Sequence, residues 1–181
     1  MNAAQVFWFT GLSGAGKTTL AEAAAVLLER EGFSVLQLDG DQIRRQLHQG
    51  LGFSKDDIKK NNELIVELCI AQRDAYDAIF VPIISPFRES RALARARLIP
   101  GFHEIYANAD LRCVVERDVK GLYAKAARGL IKDMIGYAPD CPYEPPLAPE
   151  FIVKTGNQPV GDCVESLYRY VRRQLGEPFR A

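Results

Sequence analysis

Apolar residues recur along this chain in two alternating rhythms. Short apolar-rich runs of strand length occupy residues 6–10, 34–38, 78–84, 103–106 and 151–154. Between them the spacing becomes helical. Leu20, Ala23, Ala24, Leu27 and Leu28 share one face over 19–31, and Leu64, Ile65, Leu68 and Ala71 share one over a helix running from about 54 to 75. Further helices are predicted over 87–98, 110–116 and 160–175, the last with Val164, Leu167, Tyr168 and Val171 as its inner stripe. Residues 43–47 read as one short helix, broken by 50–53, after which Ser54 stands as an N-cap with Asp56 and Asp57 in the first turn. The run 78–84 is continuously apolar, as a parallel strand buried on both faces should be. Its Pro82 counts against a fully central ladder position, or marks a bulge. Strand alternating with helix predicts an α/β fold with a five-stranded parallel sheet, right-handed crossovers and helices on both faces. With no repeat, low-complexity stretch or linker, residues 1–181 read as a single domain.

Composition narrows the partners more than the fold. Lysine plus arginine equals aspartate plus glutamate at 23 each, so no electrostatic footprint for nucleic acid or a membrane surface is present. No apolar run approaches membrane-spanning length, and residues 1–5 are too short for a signal peptide. Cys69, Cys113, Cys141 and Cys163 are scattered with no C-x-x-C pair, which predicts free thiols and a cytoplasmic setting. His48 and His103 are isolated, and neither is assigned to a metal.

The chemistry begins where the first strand meets the first helix. Gly11-Leu12-Ser13-Gly14-Ala15-Gly16-Lys17-Thr18-Thr19 matches G-x-x-x-x-G-K-[ST], and strand–glycine loop–helix is the context that makes this pattern a phosphate-binding loop. The glycines let backbone N–H groups turn inward around a polyphosphate, and the helix N-terminus adds partial positive charge. Lys17 would reach the β- and γ-phosphates of ATP, and the Thr18 hydroxyl would sit on Mg²⁺. In open parallel sheets ligands bind beyond the carboxyl ends of the strands. There stand Gly11 after strand one, Asp39 and Asp41 after strand two, Ser85 after strand three, and Thr155-Gly156-Asn157 after strand five.

Among phosphate-loop proteins, a GTPase switch should carry an Asn/Thr-Lys-x-Asp motif, and none is present. Asp118-Val119-Lys120-Gly121 has the D-x-x-G form but follows a helix. A small kinase needs a carboxylate near the acceptor hydroxyl, a cationic lid and an acceptor pocket. Asp39 closes an apolar strand and would hold the metal through water. Asp41 is the candidate to take the proton of the acceptor hydroxyl, although Asp-Gly-Asp is also an ordinary turn after a strand. Residues 120–136 carry Lys120, Lys125, Arg128 and Lys132 among three glycines, which suits a mobile cationic cover.

These residues resemble the adenylylsulfate kinase (APS kinase) family over nearly the whole length. The marks are the phosphate loop, Leu38-Asp39-Gly40-Asp41-Gln42-Ile43-Arg44, Leu51-Gly52-Phe53-Ser54, Ile84-Ser85-Pro86-Phe87-Arg88, Arg117-Asp118-Val119-Lys120-Gly121-Leu122-Tyr123, and Pro142-Tyr143-Glu144 with Ala148-Pro149-Glu150. The resemblance implies transfer of the γ-phosphate of ATP to the 3′-hydroxyl of adenylyl sulfate, with Asp41 as base, Lys17 and Ser85 at the reacting groups, and Mg²⁺ on Thr18 and Asp39. It implies that Arg44 contacts the acceptor's phosphosulfate and that Phe53 stacks on its adenine. Asn61, Ile83, Ser85, Lys120 and Met134 would complete the acceptor site, with Arg117 against the ATP adenine and Asn157 also at the ATP site. Homodimerisation stays open.

The departures from the family pattern fall on the acceptor side. Where the family reads Asp-Arg-x-Glu-Asn followed by two arginines, this chain has Asp57-Ile58-Lys59-Lys60-Asn61 with Glu63 and Leu64. Lys-Lys-Ala-Arg becomes Ala124-Lys125-Ala126-Ala127, and Phe-Thr-Gly becomes Met134-Ile135-Gly136. Lys55, three residues before Ile58 on the same helical face, is the candidate to supply the missing charge. An acceptor of another kind, such as a cytidine diphosphoramidate, stays open, as does a nucleotide-binding regulator without turnover.

Overall fold

The computed structural model describes residues 3–40, 42–43, 50–176 and 178. Its five strands are β1 (Gln5–Thr10), β2 (Val35–Gln37), β3 (Ala78–Pro82), β4 (Phe102–Ala107) and β5 (Phe151–Val153). They form one sheet in the order β2-β3-β1-β4-β5, every neighbouring pair parallel. The helices are α1 (Lys17–Arg30), α2 (Lys55–Gln72), α3 (Arg88–Leu98), α4 (Leu111–Arg117), α5 (Leu122–Ala127) and α6 (Val160–Leu175). The predicted helix over 43–47 lies mostly outside the described residues.

Two-residue periodicity in β1 builds a core on each side of the sheet. Phe7 and Phe9 face a cluster with Leu20, Ala24 and Leu28 of α1 and Leu167 and Val171 of α6. Val6 and Trp8 face the other way, against Ile65, Val66 and Cys69 of α2 and Ala94 and Leu98 of α3. Trp8, Phe7 and Phe9 are fully buried, and each such side chain contributes about 1.5–3 kcal/mol. Among the described residues no helix is long and apolar enough to cross a membrane.

Boundaries moved where caps and breakers act. The third strand ends at Pro82, two residues short of prediction. The N–H of Leu38 donates to the carbonyl of Phe80 (2.8 Å), so Phe80 turns its polar groups toward β2. Pro82, two residues on, turns the same way, beyond the end of β2, where the ladder requires no donor. Ser54 caps α2 by accepting from the N–H of Asp57 (3.1 Å), as expected, but the helix stops at Gln72.

Candidate active site

The centre of the site is the turn from β1 into α1. Gly11, Gly14 and Gly16 have φ of 146°, 76° and 88°, a region that costs residues with a Cβ about 1 kcal/mol or more. At Gly11 a Cβ would also lie 2.5 Å from the carbonyl oxygen of Ala107, so the loop sits hard against the end of β4. Lys17 folds back over the loop, its ammonium donating to the carbonyls of Gly11 (2.9 Å) and Leu12 (2.8 Å). Beside it the Thr18 hydroxyl donates to Oδ2 of Asp39 (3.0 Å), the residue two past β2. The other carboxylate oxygen accepts the N–H of Gln42 (3.1 Å). A hydroxyl and a carboxylate meeting at the loop's edge are hard oxygen donors of the kind Mg²⁺ takes alongside water and phosphate oxygens, so these residues fit the ion.

Facing the loop is a cavity of about 870 Å³. Its lining includes Ser13, Gly14, Gly16, Lys17, Thr18 and Thr19 on one side, with Asp39 beside them. Across it stand Phe53, Ile58, Asn61, Ile83, Ser85, Lys120 and Met134. The structure therefore gathers most of the sequence-predicted residues around one space. Asp41 and Arg44 lie outside the described residues. Gly11 and Ala15 shape the loop from behind and are absent from the lining. Arg117 is directed to the carbonyl of Thr155 (2.7 Å), and neither it nor Asn157 lines the cavity. Lys55 stands in a side pocket of about 230 Å³ that shares the walls Phe53, Ile58 and Ile135. Its ammonium lies 5.3 Å from the ring centre of Phe87.

Residues 120–136, read from the sequence as a mobile cationic cover, present only part of their charge to the cavity. Lys120 and Lys132 line the cavity, whereas Lys125 and Arg128 are exposed outside it. Around the lysines the wall is largely apolar, made by Leu122, Leu130, Ile131, Met134 and Ile135, with Asp133 among them. The segment is docked on the phosphate loop. Tyr123 donates its hydroxyl to the carbonyl of Ser13 (2.9 Å), and burial pushes its phenol up to about 12. Asp118 accepts the N–H groups of Tyr123 (3.0 Å) and Ala124 (2.9 Å) and so caps α5. Those donors, that of Ala124 foremost, hold its carboxyl below the usual range.

Sequence reasoning missed the support beneath Ser85. This residue has φ of 42°, is 3% exposed, and its hydroxyl has no hydrogen-bond partner among the described residues. Left-handed backbone in a non-glycine residue costs of order 1–3 kcal/mol and persists only where surroundings hold it. Thr10 at the end of β1 donates to the carbonyl of Ile84 (2.7 Å) and reaches that of Ser85 (3.2 Å). Arg91 of α3 donates to the same Ser85 carbonyl at 2.6 Å. The signal was present: Arg91, Ala94 and Leu98 share a helical face, and that face is buried.

A phosphate loop at the end of the central strand, opposed by a pocket with aromatic, amide and hydroxyl groups, defines a P-loop kinase of small molecules. Known proteins place it more narrowly. The family model of adenylylsulphate kinase matches residues 3–154. An adenylyl-sulfate kinase of Chloroflexus aurantiacus is 45% identical over 170 residues, 93% of this chain and 89% of that protein. A probable adenylyl-sulfate kinase of Bacillus subtilis is 41% identical over 171 residues, 94% of this chain and 86% of that one. The solved structure of the Mycobacterium tuberculosis APS kinase in complex with AMPPNP and APS is 32% identical and superposes with a TM-score of 0.88, covering 95% of this chain and 99% of that one. Shikimate kinase of Acinetobacter baumannii, 13% identical with a TM-score of 0.59, shares the fold. The chain belongs to the adenylylsulfate kinase family.

Proposed function

We propose that this protein moves the γ-phosphate of ATP to the 3′-hydroxyl of adenylyl sulfate, giving 3′-phosphoadenylyl sulfate and ADP, as a cytoplasmic step of sulfate activation. The observation that carries the reading is the single cavity walled by the phosphate loop on one side and by Phe53, Asn61, Ile83 and Ser85 on the other. The acceptor oxygen attacks the γ-phosphorus, the bond to the β–γ bridging oxygen breaks, and Asp41 takes the hydroxyl proton. Lys17 turns from the Gly11 and Leu12 carbonyls to the β- and γ-phosphates. Thr18 and Asp39 would hold Mg²⁺, whose charge offsets that of the phosphates. Phe53, 57% exposed at the cavity's edge, offers a ring face to the acceptor base. Residues 120–136 act as the lid of one kinase domain.

A second reading, phosphorylation of a less anionic nucleotide ester, is favoured by Ile58, which is buried and lines both the cavity and its side pocket. ADP release with ATP, Mg²⁺ and a panel of acceptors separates the two. Turnover of adenylyl sulfate with negligible turnover of a cytidine diphosphate ester supports the first reading, and the reverse replaces it with the second.

A further inference from the structure

Arg91 makes no contact with the cavity, yet it is 2% exposed and commits its whole guanidinium to three partners. Nε donates to Oε1 of Glu104 on β4 (2.5 Å), Nη1 to the carbonyl of Ser85 (2.6 Å), and Nη2 to the carbonyl of Glu144 (2.6 Å). Glu104 is braced in turn. Its other oxygen meets Arg95 (3.3 Å), its N–H donates to Glu150 (2.7 Å), and Arg95 pairs with Glu150. Two arginines and two carboxylates therefore balance, and a fixed frame holds the guanidinium from behind. In front of it lie the left-handed Ser85 and the proline-rich loop, whose Glu144 accepts the N–H of Arg88 (2.8 Å) and donates its own to Pro86 (2.9 Å).

We propose that Arg91 is the positioning residue for Ser85: it holds the Ser85 carbonyl so that the residue keeps its positive φ beside the acceptor. The inference rests on the reading of Ser85 as part of the acceptor site. Two groups reach the Ser85 carbonyl, and their geometry ranks them. Thr10 offers a neutral hydroxyl at 3.2 Å that is shared with Ile84. Arg91 offers a charged donor at 2.6 Å, and charge-assisted hydrogen bonds are roughly twice as strong as neutral ones. The planar fork is essential to the role. It spans Glu104, Ser85 and Glu144 at once, a reach that the single ammonium of lysine lacks.

Removal of the guanidinium altogether would leave the buried Glu104 with only the longer Arg95 contact, so the informative variant is Arg91→Lys, which keeps the charge. A crystal structure of Arg91→Lys should show Ser85 relaxed out of the left-handed region, and this readout does not depend on which acceptor the enzyme uses. In kinetics, kcat/KM for adenylyl sulfate should fall about 10- to 100-fold, the scale of a displaced reacting group, with KM for ATP nearly unchanged. In a Ser85→Ala background the same Arg91→Lys change should cost about twofold or less, because coupled residues are not additive. Retention of the Ser85 φ in the Arg91→Lys structure would overturn the proposal, as would equal kinetic losses in the two backgrounds or a parallel rise in the KM for ATP. Full activity of Ser85→Ala would remove Ser85 from the site and overturn this inference with that part of the functional reading. Failure of adenylyl sulfate as an acceptor would sink the substrate assignment alone, leaving the crystallographic readout to decide.

Discussion

The two sides of the cavity are built from different materials. The donor side is backbone: three glycines at positive φ, a helix N-terminus, and a lysine folded onto its own loop carbonyls. The opposite side, which we assign to the acceptor, is side chains: Phe53, Ile58, Asn61, Ile83 and Met134, carried on a loop, a helix, a strand end and the segment docked above. A phosphate group presents nearly the same oxygens in every nucleotide, so main-chain donors can recognise it with little dependence on residue identity. An acceptor differs in base, charge and shape, and only side chains can read such differences. Of the departures from the family pattern noted in the sequence, Ile58, Met134 and Ile135 line the second side, and none lies in the phosphate loop.

The largest effects should come from breaking the donor side and the transfer step. Lys17→Ala should lower kcat by about 10²–10³-fold and raise the KM for ATP, since the ammonium would touch the transferred group. Asp41→Asn should lower kcat by about 10²–10⁴-fold while leaving ATP affinity nearly unchanged. Both are read by steady-state ADP formation with nucleotide titration. Equal ATP affinities in the two variants would erase the division of labour between the sides.

The acceptor side is sharpened by restoring what it lacks. A charge-assisted hydrogen bond is worth about 1.5–3 kcal/mol, or roughly 10- to 100-fold in affinity. If Lys55 in the side pocket serves the acceptor's anion, Lys55→Ala should raise the KM for adenylyl sulfate about tenfold. Ile58→Arg in that background should recover part of the loss. No change in KM with either variant would show that the side pocket takes no part in acceptor binding.

A smaller effect is expected where the two sides are tied together. Tyr123→Phe removes the hydroxyl that donates to the Ser13 carbonyl, a bond worth about 0.5–1.5 kcal/mol. Both KM values should rise a few-fold by that measure, and amide exchange over 122–135 should quicken without ligand. Unchanged exchange would mean that apolar packing alone docks the segment.

The smallest is a stability effect remote from the cavity. His103 of β4 sits between the Tyr170 hydroxyl (2.9 Å) and Oε1 of Gln5 (3.0 Å), and burial holds its pKa below the ordinary 6.5. The unfolded chain thus takes the proton first, so stability should fall as pH drops from 6.5 toward the folded pKa. The slope cannot exceed about 1.4 kcal/mol per pH unit for one proton. Thermal melts of the parent and of His103→Gln should diverge in that window, and parallel curves would remove His103 as the cause.

Much of this was legible in the residues. Five strand runs and five of the helical patterns appear where predicted, because hydrophobic periodicity records which face is buried, whereas the short α5 was not foreseen. The phosphate loop was legible because its geometry needs glycine at fixed spacing. Two further features were not. The charge on residues 120–136 drew attention to Lys125 and Arg128, while the cavity wall is formed by Leu130, Ile131 and Ile135 beside Lys120, Lys132 and Asp133. The spacing of Arg91 with Ala94 and Leu98 marks the face that α3 buries, but no sequence pattern names a distant carboxylate partner, so the Arg91–Glu104 pair required the crossing of α3 over β4 to become visible.

Gly136 ends the lid segment against the phosphate loop, and a Cβ there would collide with the Leu12 side chain. Its two predecessors, Met134 and Ile135, line the cavity. The glycine is thus a mounting point, and the two residues before it are an exchangeable fitting. On the proposed assignment of Met134 to the acceptor site, substitutions at 134 and 135 should alter substrate preference with the nucleotide machinery intact, provided position 136 stays glycine. A redesign that added even one methyl group at 136 would have to displace the end of the Leu12 side chain and hold a non-glycine residue at a φ of 76°.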